Sequence, residues 1–196
     1  SKLKCGPYTD PQSNIGPLIT REAKTRVLDL IESGVKQGAK LILDGRNPKV
    51  PQGFEGGNYV GPTILTDVTP DMRVYTEEIF GPVLCIIKVE TLEEAIALTN
   101  ANQYGNGTAI FTQSGSVARK YQKEIEAGQV GINLPIPVPL PFFSFTGSKK
   151  SYIGAGNFYG KSGVHFYCQR KTITANWWDD DLSCGVQTAM PVLGTK

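Results

Sequence analysis

Between Leu84 and Asn133 the chain passes twice from a short apolar run to a helix-type segment and back, and few folds accommodate that alternation. Leu84 to Val89 is an almost unbroken apolar run of the kind buried on both faces of a parallel sheet. Thr91-Leu92-Glu93-Glu94 has the T-x-x-E form of a capping box and opens a helix to about Asn100. A strand at Gly107 to Thr112, a helix at Ser116 to Glu126, Gly128 as its C-cap and a strand at Gln129 to Asn133 follow. Two β-α-β units joined by such short crossovers imply a parallel or mixed sheet with flanking helices. The expected fold class is α/β.

The segment before this region fits the same class. Thr20 is placed to cap a helix from about Arg21 to Gln37, with Ala23, Val27, Leu30, Ile31 and Val35 on one face and Gly38 as its stop. The short run Lys40 to Leu43, ended by Asp44-Gly45, reads as a strand and turn. A Gly- and Pro-rich excursion covers 46–57, and an extended stretch runs through Tyr59, Val60 and Ile64.

Downstream, Pro135, Pro137, Pro139 and Pro141 alternate with apolar residues, which excludes helix interior and central strand from Leu134 to Ser151. An apolar loop of that length in a compact domain is usually functional, a pocket wall for example. A short helix is expected around Phe158 to Cys168. Lys171 to Trp178, with Ile173, Trp177 and Trp178, reads as an edge strand that needs covering. The tail after Asp179 is polar.

Composition narrows the function classes. Twenty Lys and Arg face 18 Asp and Glu, and the basic residues are spread out, which argues against a nucleic-acid or membrane-surface footprint. No apolar run reaches the roughly 18 residues that a bilayer-spanning helix needs. Cys5, Cys85, Cys168 and Cys184 lie far apart with no C-x-x-C spacing, and His165 is the single histidine, so no metal site is expected. Reduced thiols and an intracellular setting fit a chain with this much core. His165, alone among aromatics, reads as a packing or surface residue.

The run Glu77-Glu78-Ile79-Phe80-Gly81-Pro82-Val83 has two readings. It can be a polar turn feeding the strand at Leu84. It can also be a binding loop, because a carboxylate accepts hydrogen bonds from both hydroxyls of a ribose and an aromatic ring packs against a flat heterocycle.

This run is highly characteristic of the aldehyde dehydrogenase superfamily, and other motifs accompany it in that family's order. They are Ile15-Gly16-Pro17-Leu18, Gly61-Pro62-Thr63, Asn102-Gln103-Tyr104-Gly105 and Gly128-Gln129-Val130-Gly131-Ile132-Asn133. The Phe145-Thr146-Gly147-Ser148-Lys149 region and Tyr167-Cys168-Gln169-Arg170-Lys171-Thr172-Ile173 follow. The resemblance covers roughly residues 3 to 178. Ile132 to Pro141, Ser144 to Ser148 and Asn157 to Lys161 resemble the CoA-acylating branch that acts on methylmalonate and malonate semialdehydes. Most relatives instead carry Pro-Phe-Gly-Gly and a less proline-rich loop.

The resemblance implies a catalytic-domain-like fold with a C-terminal oligomerisation strand. Residues 1–168 would be the C-terminal part of the catalytic domain, 169–179 the oligomerisation strand and 180–196 a loose tail. It implies NAD as oxidant and coenzyme A as acyl acceptor, with loss of carbon dioxide. Glu78 would take the nicotinamide ribose, Phe80 would lie beside the nicotinamide, and Phe145 would line the substrate pocket or else simply pack in the core. A homo-oligomer, dimer or tetramer, and a mitochondrial matrix or cytoplasmic location are the corresponding expectations.

Such chemistry needs a thiolate, which adds to the aldehyde carbon, loses hydride to the nicotinamide and passes the resulting thioester to CoA. In the family that cysteine stands on a Gly-Gln-x-Cys turn several tens of residues before the Gly-Pro-Leu motif. Cys5 is eleven residues before Gly16, and none of the four cysteines matches that turn. The chain therefore reads as the C-terminal part of such an enzyme, without catalytic residues of its own and inactive alone. A different class remains open: a non-catalytic α/β module that binds a partner through its apolar C-terminal strand.

Overall fold

The first helix, α1 (Arg21–Lys36), begins where the Thr20 hydroxyl accepts a hydrogen bond from the Ala23 amide at 3.1 Å. It stops before Gly38, whose φ of +107° suits glycine. The structure, a computed structural model, describes residues 2–175, so Trp177, Trp178, Cys184 and the expected tail lie outside the described residues. Val27, Leu30 and Ile31 on α1 are fully buried, each worth roughly 1.5–3 kcal/mol of transfer free energy. The buried row continues at Gly34, against Val74, and not at the expected Val35, which faces out. Heptad geometry explains the correction, since position 34 repeats position 27.

That face packs on a three-stranded mixed sheet of order β1-β2-β3, formed by β1 (Lys40–Leu43), β2 (Thr63–Thr66) and β3 (Val83–Cys85). β1 runs antiparallel to β2 with a bulge at Ile42, and β2 runs parallel to β3 with Ile64 opposite Leu84. The one-turn helix α2 (Arg73–Thr76) lies between β2 and β3 in sequence and packs on α1. Leu30, Leu65, Val68, Met72 and Val74 form the centre of this core.

A second sheet contains β4 (Gly107–Ile110) and β5 (Gln129–Ile132), parallel and in register from Gly107–Gln129 to Ile110–Ile132. Between β3 and β4 runs α3 (Leu92–Ala101), and between β4 and β5 runs α4 (Gly115–Glu124). Thr91 caps α3 as expected, accepting from the Glu94 amide at 3.2 Å. The Glu94 carboxylate returns to the amide of Glu90 rather than to Thr91 itself. Ile96, Tyr121 and Ile125 form a separate small core, and the hydroxyls of Thr108 and Tyr121 are hydrogen-bonded beside it.

Three expectations are corrected here. β3 pairs with β2 and β4 with β5, so the parallel β-α-β units are β2-α2-β3 and β4-α4-β5, and β3 and β4 are not neighbours. Residues 86–89 are not strand, and Leu84 is 57% exposed, because an apolar run expresses a preference for burial without naming the strand beside it. Gly128 does not cap α4, which already ends at Ile125 in extended conformation. Its lack of a side chain serves close approach instead, since a Cβ there would sit 2.4 Å from the Gly147 Cα.

By internal packing the described residues form two units: 2–138 with Gly147–Ile153, and Pro139–Thr146 with 154–175. The second unit holds α5 (Gly160–Tyr167), which has no buried residue, and a cluster of aromatic side chains. As expected, 134–151 is neither helix nor central strand. Residues 171–175, the described part of the expected C-terminal strand, have no regular secondary structure. No helix among the described residues is long and apolar enough to cross a membrane.

Candidate functional site

The acidic pair occupies the exit of α2, and its two carboxylates have different surroundings. Arg73, one turn earlier, donates to both oxygens of Glu77, Nε at 2.6 Å and Nη2 at 3.0 Å. That guanidinium, by hydrogen bonding and charge, holds the Glu77 carboxyl below the usual carboxylate range. Glu78 is exposed, and its carboxylate has no hydrogen bond or ion pair among the described residues. One member of the pair is committed to the helix; the other is available to a ligand.

The loop that carries Glu78 is held from α1. Arg26 donates Nη1 to the Glu78 carbonyl at 2.6 Å and Nη2 to the Ile79 carbonyl at 2.5 Å. Gly81 packs on the neighbouring residue, Val27, so closely that a Cβ would lie 2.8 Å from Val27 Cγ2. Between these two fixtures Phe80 adopts φ +53°, the left-handed region that a bulky residue enters at a cost of about 1–2 kcal/mol. The residue is 77% exposed, so burial does not offset that cost. Strain of this kind persists where the surroundings hold the backbone in place, as Arg26 and Val27 do here.

Phe145 belongs to the second unit and is described there by itself. Its ring stacks on Phe158 at 4.8 Å and meets the edge of Tyr159 at 5.7 Å, while its amide donates to the Phe158 carbonyl at 2.7 Å. This partly buried stack gives it a packing role and leaves an aromatic wall. Glu78 and Phe80 thus share one loop, whereas Phe145 stands in a different unit.

The three described cysteines are free thiols. Cys5 is buried with its Sγ 3.9 Å from the Val60 carbonyl, and Cys85 lies in β3 with its Sγ 3.7 Å from the Val74 carbonyl. Burial pushes both thiols up in pKa, the reverse of what a thiolate nucleophile needs. Cys168 is exposed at the end of α5, and His165, one turn before it, is exposed as well.

Sequence reasoning passed over Arg26 and Arg73. Arg73 carried a signal, since Arg and Glu at i and i+4 on a helix form a recognisable pair. Arg26 carried none, because its partners are backbone carbonyls 52 and 53 residues away.

The helix-held loop thus offers a free carboxylate and an exposed aromatic to a ligand, set in an α/β frame. The aldehyde dehydrogenase family matches residues 1–173, and the chain belongs to that family. Within it, the chain is 63% identical over 195 residues to a protein of Dictyostelium discoideum named probable methylmalonate-semialdehyde/malonate-semialdehyde dehydrogenase [acylating], mitochondrial. That match covers 98% of this chain and 37% of the relative. Among solved structures, methylmalonate-semialdehyde dehydrogenase from Oceanimonas doudoroffii superposes with a TM-score of 0.87 at 48% identity, covering 91% of this chain and 36% of that one. An aldehyde dehydrogenase of Mycobacterium tuberculosis complexed with NAD+ matches with a TM-score of 0.76 at 38% identity, covering 86% and 34%. The chain spans about a third of the length of the curated relatives it matches.

Proposed function

We propose that this chain contributes the nicotinamide-side loop and part of the substrate wall to an NAD-dependent, CoA-acylating dehydrogenase of methylmalonate and malonate semialdehydes. The observation that carries the reading is the division of labour in the acidic pair, with Glu77 tied to Arg73 and Glu78 free on a braced loop. The relatives' names support the substrate class and the acylating chemistry, and they support a mitochondrial location in a eukaryotic cell.

The residues present fit the nicotinamide end of NAD. The Glu78 carboxylate can accept from both ribose hydroxyls, and the exposed Phe80 ring offers a flat apolar face to the nicotinamide. When bound, NAD supplies the hydride acceptor for aldehyde oxidation. The aromatic stack of Phe145, Phe158 and Tyr159 supplies an apolar wall for the substrate. Coenzyme A would take the acyl group as a thioester.

We place the nucleophilic cysteine of this chemistry neither at buried Cys5 nor at half-buried Cys85, whose thiols burial pushes up in pKa, and none of the four cysteines stands on a Gly-Gln-x-Cys turn. We therefore assign this chain no catalytic residue, and by itself it is inactive. Homo-oligomer formation would draw on 169–179, where Ile173 is 80% exposed.

The test adds NAD, malonate semialdehyde and CoA to the purified chain, and follows NADH at 340 nm. No turnover is expected, while saturation-transfer NMR detects NAD at the nicotinamide end. Turnover abolished by Cys5→Ala would overturn the assignment of the nucleophile, and NAD binding unaffected by Glu78→Gln would overturn the role of the loop.

A further inference from the structure

We infer that Arg26 is a positioning residue: through the backbone of Glu78 and Ile79 it sets where the Glu78 carboxylate and the Phe80 ring stand. The inference rests on the reading of Glu78 and Phe80 given above and adds a residue from another part of the sequence to that site.

The loop from Glu77 to Pro82 has backbone anchors at its ends. The Glu77 amide donates to the Arg73 carbonyl at 2.9 Å, and the Pro82 carbonyl accepts from the Thr63 amide at 2.9 Å. Between them, the Glu78 and Ile79 carbonyls point at Arg26. A guanidinium presents two parallel N–H groups in a rigid fork, which suits two successive carbonyls in one geometry. That fork fixes the peptide planes on either side of Ile79, so it limits the directions open to Glu78 before them and Phe80 after them.

The strain at Phe80 makes the fixture necessary. A bulky residue at φ +53° with 77% of its surface exposed would relax toward an ordinary backbone conformation if the adjoining peptides were free. Val27 blocks one side of the loop at Gly81, and Arg26, the preceding residue of α1, ties the other. α1 is anchored by fully buried Val27, Leu30 and Ile31, so the loop is referenced to the rigid core of its unit.

Two other roles give different results. If Arg26 acts only by its charge, any cation there will serve. If it only adds stability, its loss will leave ligand affinity alone. A lysine keeps the charge but cannot fork two carbonyls.

The experiment measures NAD affinity of the whole chain by saturation-transfer NMR for Arg26→Met, Arg26→Lys, Glu78→Gln and Arg26→Met/Glu78→Gln. Amide hydrogen exchange is followed in the same proteins at Glu77 and Thr63, whose amides close the two ends of the loop. We expect Arg26→Met to weaken NAD about tenfold, Arg26→Lys to behave more like Arg26→Met than like the parent, and the double variant to lose less than the product of the two single losses. Exchange at Glu77 and Thr63 should quicken in both Arg26 variants while exchange within α1 stays unchanged. Loss of affinity at Glu78→Gln with none at Arg26→Met overturns the Arg26 inference alone. So do losses that multiply in the double variant, and so does parent-like affinity in Arg26→Lys. An unchanged affinity at Glu78→Gln overturns the reading of the loop itself, and the inference with it.

Discussion

Arg73 and Glu77 face each other one helical turn apart, and their doubly hydrogen-bonded pair removes Glu77 from the choices open to a ligand. The consequence is an asymmetry that mutation should expose. Glu78→Gln should weaken NAD about tenfold, because a neutral amide accepts less strongly from ribose hydroxyls than a carboxylate does. Glu77→Gln should leave NAD affinity within about twofold, since exposed i, i+4 pairs contribute little. Titration of both variants by NMR decides it, and equal losses at the two positions would dissolve the asymmetry.

The Glu77 pairing also has a pH signature. Its carboxyl is held low in the folded state, so the stability from the Arg73 pair is present above the ordinary glutamate range and is lost as pH falls through the folded value. Arg73→Met should therefore lose a little stability at neutral pH and converge with the parent in acid, which flattens its acid limb below about pH 4.5. Urea midpoints at closely spaced pH values would show it. An acid limb identical to the parent would mean that the pair adds nothing.

At Phe80, stability and binding should separate. Glycine relieves the left-handed backbone of a bulky residue, though it adds freedom to the unfolded chain, so the two effects come close to cancelling. Phe80→Gly should thus leave the thermal midpoint within a few degrees, or raise it, while NAD affinity falls for want of the ring. A large fall in the midpoint would show that the ring is structural and that its exposure misleads.

These tests turn on features that differ in how far the sequence discloses them. α1 is legible from Thr20 to Gly38 because caps and apolar spacing are local, and the same holds for the Thr91 cap of α3. Strand adjacency is not local. The run from Leu84 promised burial, but whether β3 lies beside β2 or β4 depends on pairing between distant segments, and β2 takes that place. For the site, residue chemistry alone left Glu77 and Glu78 open, and family resemblance pointed to Glu78. The Arg73 contact gives that preference a physical reason. Arg26 stayed out of sight because a carbonyl partner leaves no mark on the side chains of Glu78 and Ile79.

The thiols should differ in reactivity. Cys168 is exposed, while Cys5 is buried and Cys85 is half-buried, and burial raises the pKa of both of the latter. Iodoacetamide at neutral pH, followed by peptide mapping, should label Cys168 before Cys5 and Cys85, which stay protected until denaturant is added. The raised thiols also contribute stability that is present below the ordinary thiol value of about 9 and is lost as pH rises toward the folded values. Cys85→Val should reduce that alkaline loss. Rapid labelling of Cys5 in the folded chain would contradict both its burial and its exclusion as a poor thiolate.

The contact between Gly81 and Val27 makes a coupled prediction. A methyl group at position 81 would stand 2.8 and 2.9 Å from the two Val27 methyls, too close for either rigid neighbour, so Gly81→Ala should destabilise by roughly 1–3 kcal/mol. It should also displace the Glu78–Phe80 loop and weaken NAD. Val27→Ala alone opens a void in the core around Ile31 and Val60 and should cost about 2–4 kcal/mol. The two changes are complementary, since the methyl added at 81 enters the space vacated at 27. The double variant should therefore be more stable than the sum of the single losses predicts, by about 1 kcal/mol or more, with NAD affinity moving back toward the parent. Urea unfolding of all four proteins measures the coupling. Strict additivity would mean that the loop escapes the clash by lifting off α1, and that its position is not referenced to that helix.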